Sequence, residues 1–426
     1  MTFESPTERD VSNAYEAAKA AYARVGVDTD NALKKLSGIP VSINCWQADD
    51  VVGFEGQSQL SGGGIMATGN YPGRARTPDE LRQDFLKATS LIPGTHRINL
   101  HASYLDAPGE TVDRGEIETK HFQPWIDWAK EQGVGVDFNP TFFSHPKADD
   151  GFSVPSKHRG DREFWIEHGK RTRRIAADIG KALGTPCINN FWIPDGMKDQ
   201  PADRLGYRQI LVEALDDVFS ENLDPAHTLD AVESKLFGIA SESYVVGSHE
   251  FYLAYALTRK VMLCMDAGHY HPTEGIADKI PALLPFTDRL LLHVSRPVRW
   301  DSDHVVILDD QTVAVAREIA HADAFDKVAV AVDFFDASIN RIAAWAVGLR
   351  STVKAILTAL LEPIDLLREA EEAGDYGRRL GIQESARTLP FAAVWDKYCQ
   401  DAGVPIGPAW LNDVAEYEKT VLSKRS

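Results

Sequence analysis

Eight short apolar runs, rich in Val, Ile, Leu and aromatic residues, recur along the chain. Each is closed by a turn signal and followed by a stretch with helical spacing. They predict strands at Ser42–Gln47, Arg97–Ala102, Gly135–Phe143, Pro186–Asp195, Ala231–Phe237, Val261–His269, Leu290–Arg296 and Val328–Asp336. Successive runs start 29 to 55 residues apart, which leaves room for a crossover helix each time. Helical spacing fills the gaps, as at His121–Gln132, Arg162–Leu183 and Tyr207–Phe219. Eight β-then-α units in succession predict an α/β fold of the (β/α)8 TIM-barrel type, although a doubly wound parallel sheet uses the same units. An N-terminal helix is expected over Val11–Leu36. From Ser351 the texture changes: Val353, Ile356, Leu357, Leu360 and Leu361 share one helix face, and Pro363, Pro390 and Pro405 divide the remainder of the chain into short charged helices. The expected organisation is a barrel over 1–350 and a helical C-terminal extension over 351–426, packed on the barrel or on a neighbouring subunit.

Composition narrows the partners. With 45 Lys+Arg against 63 Asp+Glu, the net charge is -18, which argues against nucleic acid, whose phosphates need clustered cations. Hydrophobic and charged shares of 44% and 25% are those of a globular protein and exclude disordered or fibrous classes. No uninterrupted apolar run approaches the ~20 residues that span a bilayer, and the opening Met1-Thr2-Phe3-Glu4 carries no signal-peptide pattern. Cys45, Cys187, Cys264 and Cys399 lie far apart without CxxC spacing, as expected of free thiols in a reducing cytoplasm.

The chemistry gathers at the C-terminal ends of the predicted strands, the face on which barrels build their sites. The first four runs carry Trp46, His101, Asn139, and Trp192 with Asp195; the last four carry Glu233, Asp266, His293 and Asp333. Neighbouring strands lie ~4.8 Å apart, so the last four side chains can meet at one point. Three carboxylates and an imidazole brought together repel unless a divalent cation joins them, and O/N ligation without thiolate suits Mn, Mg, Co or Zn. His269, Asp301 and Asp303, in the loops just beyond, form a second candidate metal set nearer to solvent. A single Asp at such a place is more often a helix cap; the ordered combination is what points to metal. Strand alternation puts Lys235 on the same face as Glu233, either as an ion pair or aimed at a substrate oxygen. Trp46 and Trp192 can wall a sugar or cap the core. Other motifs are weaker. Gly62-Gly63-Gly64 leads to no Walker pattern, and His269-Tyr270-His271 falls after the sixth strand, where a metal-dependent amidohydrolase would have its His-x-His pair on the first. The basic run Lys170-Arg171-Thr172-Arg173-Arg174 reads as a solvated helix face.

Four long strings then carry a resemblance: Asn44-Cys45-Trp46-Gln47-Ala48-Asp49-Asp50, Ala67-Thr68-Gly69-Asn70-Tyr71-Pro72-Gly73, Trp192-Ile193-Pro194-Asp195-Gly196-Met197-Lys198-Asp199 and His293-Val294-Ser295-Arg296-Pro297-Val298-Arg299-Trp300-Asp301-Ser302-Asp303-His304. With Asp333-Phe334-Phe335-Asp336-Ala337-Ser338 they resemble the L-rhamnose isomerase family over nearly the whole chain, least so around Asp149–Asp161 and at the N-terminus. The resemblance implies a homotetrameric aldose–ketose isomerase that interconverts L-rhamnose and L-rhamnulose. It implies a structural metal on Glu233, Asp266, His293 and Asp333, filled by Mn2+ or Zn2+, and a catalytic Mn2+ on His269, Asp301 and Asp303. A hydride shift between C1 and C2 is the expected route, with Lys235 stabilising charge on a substrate oxygen and His101 or Asp333 assisting ring opening. Proton transfer through an enediol is the alternative. A metal-dependent barrel hydrolase and a non-catalytic sugar-binding protein are the competing classes.

Overall fold

The computed structural model describes residues 2–55, 68–236, 243–271, 273–298 and 303–425. Eight parallel strands close into a barrel in chain order: β1 (Pro40–Asn44), β2 (Thr95–His101), β3 (Gly135–Asn139), β4 (Cys187–Trp192), β5 (Thr228–Glu233), β6 (Met262–Asp266), β7 (Leu290–Val294) and β8 (Val328–Val332). Ring closure sets Ile43 of β1 opposite Ile98 of β2 on one side and Val332 of β8 on the other. The fold is the (β/α)8 TIM barrel that the strand count predicts.

Alternation along the strands separates two apolar sets, as the period of two requires. Ala231, Met262, Cys264, Leu291 and Ala331 form a small plug inside the barrel, while Val232, Leu263, Met265, Leu292 and Val332 join the larger core beneath the helices. Stepping two residues on from the plug residues Ala231, Cys264, Leu291 and Ala331 leads to Glu233, Asp266, His293 and Asp333. The same rule that fills the barrel therefore stacks the four polar groups above the filling. Every predicted strand runs past the observed end, by one residue at β2 and by two or more elsewhere, because pairing stops where the chain turns into the loops of the mouth; after β1, Cys45–Gln47 is already a 3-10 turn. A two-stranded ribbon, Gly196–Met197 with Tyr244–Val245, adds to the mouth and has no counterpart in the predicted pattern.

The helices are α1 (Glu8–Ala23), α2 (Thr29–Ser37), α3 (Pro78–Thr89), α4 (Gln123–Gln132), α5 (Arg159–Leu183), α6 (Arg204–Val218), α7 (His249–Arg259), α8 (Lys279–Leu283), α9 (Asp310–His321), α10 (Arg341–Leu360), α11 (Ile364–Glu372), α12 (Tyr376–Ala386), α13 (Phe391–Asp401) and α14 (Trp410–Thr420). The single N-terminal helix expected over Val11–Leu36 is two, because Gly26 at φ +77° breaks it and Asp28 caps the second. The change of texture at Ser351 falls inside α10, the helix that follows β8 and is buried against the barrel and its neighbours. With a mean hydropathy of 1.2, α10 is long and apolar enough to cross a bilayer, yet 72% of its most apolar window is buried in the molecule, as in a core helix. Pro363 and Pro390 stand at the N-caps of α11 and α13, immediately before the first helical residues. The basic run on α5 is not wholly solvated: Arg173 is buried and donates to Asp230 at 2.9 Å and to the carbonyls of Val218 and Glu221. All four cysteines are buried and free.

Candidate metal centre

Glu233 and Asp266 end β5 and β6, His293 stands near the end of β7, and Asp333 follows β8 directly. One ligand atom from each lies within 4.8 Å of the others. His293 Nδ1 is 3.3 Å from Glu233 Oε2, 3.3 Å from Asp333 Oδ2 and 3.7 Å from Asp266 Oδ2. The far oxygens are held from behind. Gly268 N–H donates to Asp266 Oδ1 at 2.6 Å, Ser295 Oγ to the same oxygen at 3.3 Å, and the Trp46 indole N–H to Asp333 Oδ1 at 2.7 Å. The Asn190 amide donates to Glu233 Oε2. Asp266 and Asp333 thus each fix one oxygen on a donor and turn the other to the centre. Asp266 Oδ2 and both ring nitrogens of His293 find no hydrogen-bond partner among the described residues.

Electrostatics shows what this costs when only protons are available. Burial, aided by Glu233 and Asp333, pushes the Asp266 carboxyl up to about 7. Burial opposes charge on Glu233 and His293 as well. The pair overcomes it: His293 and His269 hold Glu233 well below the carboxylate range, and Glu233 and Asp333 raise His293. Three carboxylates and one imidazole gathered with Asp266 Oδ2 and both His293 nitrogens unpartnered among the described residues fit a divalent cation better than shared protons. Cys264, on β6 within reach of Glu233 and His293, is pushed by burial far from the thiolate form and makes the poorer ligand.

The second set is placed in part. His269 follows β6, with Nδ1 3.0 Å from Glu233 Oε1, so it abuts the first cluster. Lys235 Nζ lies 3.4 Å from His269 Nε2 and 5.1 Å over the Trp192 ring, and that ring stacks on the His269 imidazole at 13°. Lys235 therefore faces His269 and the indole. Asp303, at φ +40°, accepts the Phe335 N–H on its carbonyl at 3.2 Å, which ties the loop after β7 to the loop after β8 beside Asp333. Asp301 lies outside the described residues, as do Gly62-Gly63-Gly64. On the opposite wall, the Trp46 ring packs 4.1 Å from that of His101, and Asn139 Nδ2 approaches His101 Nε2 at 2.8 Å. Burial pushes His101 down to about 3, so its imidazole is neutral.

One strand-end residue serves the frame instead. Asp195, buried and pushed up to about 7 by that burial, accepts from the N–H and hydroxyl of Ser153 and so pins the loop after β3. His271 is exposed and its Nδ1 lies 2.8 Å from Thr273 Oγ1, whereas His269 is buried beside Glu233, so the two histidines of the His-x-His string stand in different surroundings. The donors Asn190, Ser295 and Gly268 escaped the sequence reading. Asn190 was within reach of it, being the inward position two before Trp192; Gly268 acts through its backbone and has no side-chain signal.

The L-rhamnose isomerase (RhaA) family profile matches residues 9–425. The L-rhamnose isomerase of Mannheimia succiniciproducens is 57% identical over 415 residues, covering 97% of this chain and 99% of that one. Those of Citrobacter koseri and Listeria monocytogenes are 56% and 54% identical, each covering 98% of this chain and 99% of their own. Among solved structures, an L-ribulose 3-epimerase aligns with a TM-score of 0.46 at 13% identity, covering 78% of this chain and 97% of that one. A closed barrel with a buried cluster of metal ligands at its mouth, and identity above one half along almost the whole length, place the chain in the L-rhamnose isomerase family.

Proposed function

We propose that the chain interconverts L-rhamnose and L-rhamnulose by a hydride shift, at a site where Glu233, Asp266, His293 and Asp333 hold one divalent cation (Mn2+ or Zn2+) and His269, Asp301 and Asp303 hold a second, Mn2+. The observation that carries this reading is the convergence of four strand-end ligands within 4.8 Å. Cations bound there supply Lewis acidity toward the sugar's oxygens. The side chains do the rest. Lys235, its ammonium beside His269 and over Trp192, donates to the substrate oxygen on which negative charge grows. Trp46 and Trp192, 6% and 7% exposed, wall the sugar with apolar faces and keep water from C2. His101, neutral against Trp46, or Asp333, oriented by the Trp46 indole, assists ring opening by taking the proton of the anomeric hydroxyl, which then passes to the ring oxygen as the C1–O bond of the pyranose breaks. In the step itself the C2 hydrogen moves to C1 with its electron pair while one proton moves from O2 to O1.

Formation of ketose from L-rhamnose tests the activity. C2-deuterated L-rhamnose in ordinary water tests the route: the label is expected at C1 of the product, and extensive loss to solvent would establish the enediol. The same proposal takes residues 351–426 as an extension that contributes to a homotetramer of cytoplasmic location. The family likeness supports the tetramer, and so does α12, which buries none of its residues and exposes Tyr376 and Leu380. Four buried free thiols support a reducing compartment. Light scattering should give about four times 47.1 kDa.

A further inference from the structure

The string Asn70-Tyr71-Pro72-Gly73 is absorbed neither by the metal sites nor by the sugar walls. It belongs to a segment, residues 68–75, that passes between the active face and the last helix. Gly69, at φ +124°, lets the backbone run against Ala337 and Ser338, where a Cβ would collide with their main chain. Tyr71 N–H then donates to Ala337 O at 2.7 Å, and Ala75 N–H to Ala48 O at 2.9 Å. Ala337 stands four residues after Asp333 in the loop after β8. Gln47 grips that loop twice through the main chain of Asp336, at 3.1 and 2.8 Å. Residues 68–75, the loop after β1 and the loop after β8 are thus one hydrogen-bonded unit at the edge of the site.

The outer side of this unit is held by the far end of the chain. The Tyr71 hydroxyl donates to Glu418 Oε2 on α14 at 2.8 Å, and the same oxygen takes Asn340 Nδ2, from the residue that caps α10, at 2.7 Å. Leu422 packs so closely on Gly73 (φ +85°) that a Cβ there would come within 2.6 Å of it. Arg425 donates to Gly73 O at 3.4 Å and to Asp84 Oδ2 on α3 at 2.6 Å, and the Tyr417 hydroxyl donates to Asp84 Oδ1 at 2.7 Å. The Arg425 and Asp84 side chains are 4% and 1% exposed. A helix that only closes a core needs apolar contact. The buried Arg425–Asp84 pair instead anchors the end of the chain on α3, in the register that brings Glu418 to Tyr71 and Leu422 to Gly73.

We infer that residues 410–425 are a positioning element for the sugar site, acting through the Glu418–Tyr71 bond on the loop that carries Asp333. The inference rests on the function proposed above. It is tested with full-length, metal-loaded Tyr71→Phe, Glu418→Gln and the double variant. Loss of a hydrogen bond to a carboxylate should raise KM for L-rhamnose about ten-fold in Tyr71→Phe with kcat nearly unchanged. Glu418→Gln, which keeps an acceptor, should show a smaller rise, and the double variant should be no worse than Tyr71→Phe alone. Trypsin cleavage after Arg74, read by mass spectrometry, should accelerate several-fold in Tyr71→Phe while the melting temperature holds. Faster cleavage with wild-type KM would reduce the tether to a structural brace and overturn the inference. Unchanged cleavage and KM would overturn it too. Failure of the unsubstituted protein to make ketose would instead sink the functional reading.

Discussion

Lys235 occupies a place where a cation is costly unless it has work to do: 8% exposed, its ammonium beside an imidazole and over an indole. If it stabilises charge that develops only during the reaction, Lys235→Met should lower kcat by about 100-fold or more with KM little changed. Metal content by elemental analysis should be the same; a change mainly in KM would reassign the residue to ground-state binding. Asp303→Asn should also lower turnover by at least about 100-fold with the fold intact by circular dichroism, since an amide is a weak ligand for a hard cation. Near-normal turnover there would remove the loop pair from the catalytic set. At this scale the sequence was most legible where alternation applies. Glu233, Asp266, His293 and Asp333 are each two residues on from a plug residue, so their convergence followed from a period of two. The contact between His269 and Glu233 was not legible, because a loop residue has no fixed period. The bonds that Gly268 N–H and the Asp303 carbonyl make are main-chain bonds, on which side-chain identity is silent.

Elements carry the site by where they stop. Pairing ends at Asn44, His101, Asn139, Trp192, Glu233 and Asp266, so each strand delivers its last residue to the mouth; the predicted runs overshot because apolar residues continue into the loops. The break between α1 and α2 was visible as Gly26 and Asp28 but was outweighed by continuous helical spacing. The start of α10 at Arg341 was hidden because its first turns are as apolar as a strand. That helix presses on the site. Gly348 passes over the Phe334 ring, next to Asp333, so closely that a methyl group has no room. Gly348→Ala should cost about 1–3 kcal/mol by overpacking, measured by urea titration, and should weaken metal binding through Asp333. A stability equal to wild type would show that α10 has slack there. Farther out, Glu362 joins α10 to α9. Burial opposes its charge, but His321 and Arg317, each at 2.7 Å, hold its pKa below the ordinary carboxylate value. A depressed carboxylate contributes stability that is present above its unfolded pKa, ~4.3, and is lost as pH falls through the lower folded value. Glu362→Gln should therefore destabilise at pH 7 and flatten the acid limb of the stability curve below about pH 4.3. An unaltered acid limb would mean that the triad contributes nothing.

The whole molecule joins these parts by closing the ring. β8 pairs with β1, and the loops after both lie under residues 68–75, which the end of the chain grips from outside. Composition had already set the class of partner: an excess of carboxylate suits cations and neutral sugar and suits polyanions badly. What composition and pattern could not set is how α14 is used, because contacts between residues more than 300 apart leave no local signature. In the function proposed above, the strand-end cluster and its neighbour in the loops hold the metals on which isomerisation depends. The most direct test of that function is to strip the protein with chelator, restore Mn2+, add L-rhamnose and assay ketose. L-rhamnulose is expected only after Mn2+ is restored, accompanied by a rise in melting temperature, since a ligand at about 100 times its Kd adds roughly 2.7 kcal/mol to the folded state. Ketose formed at full rate by the stripped protein, or none with any divalent cation while the chain is folded, would contradict it.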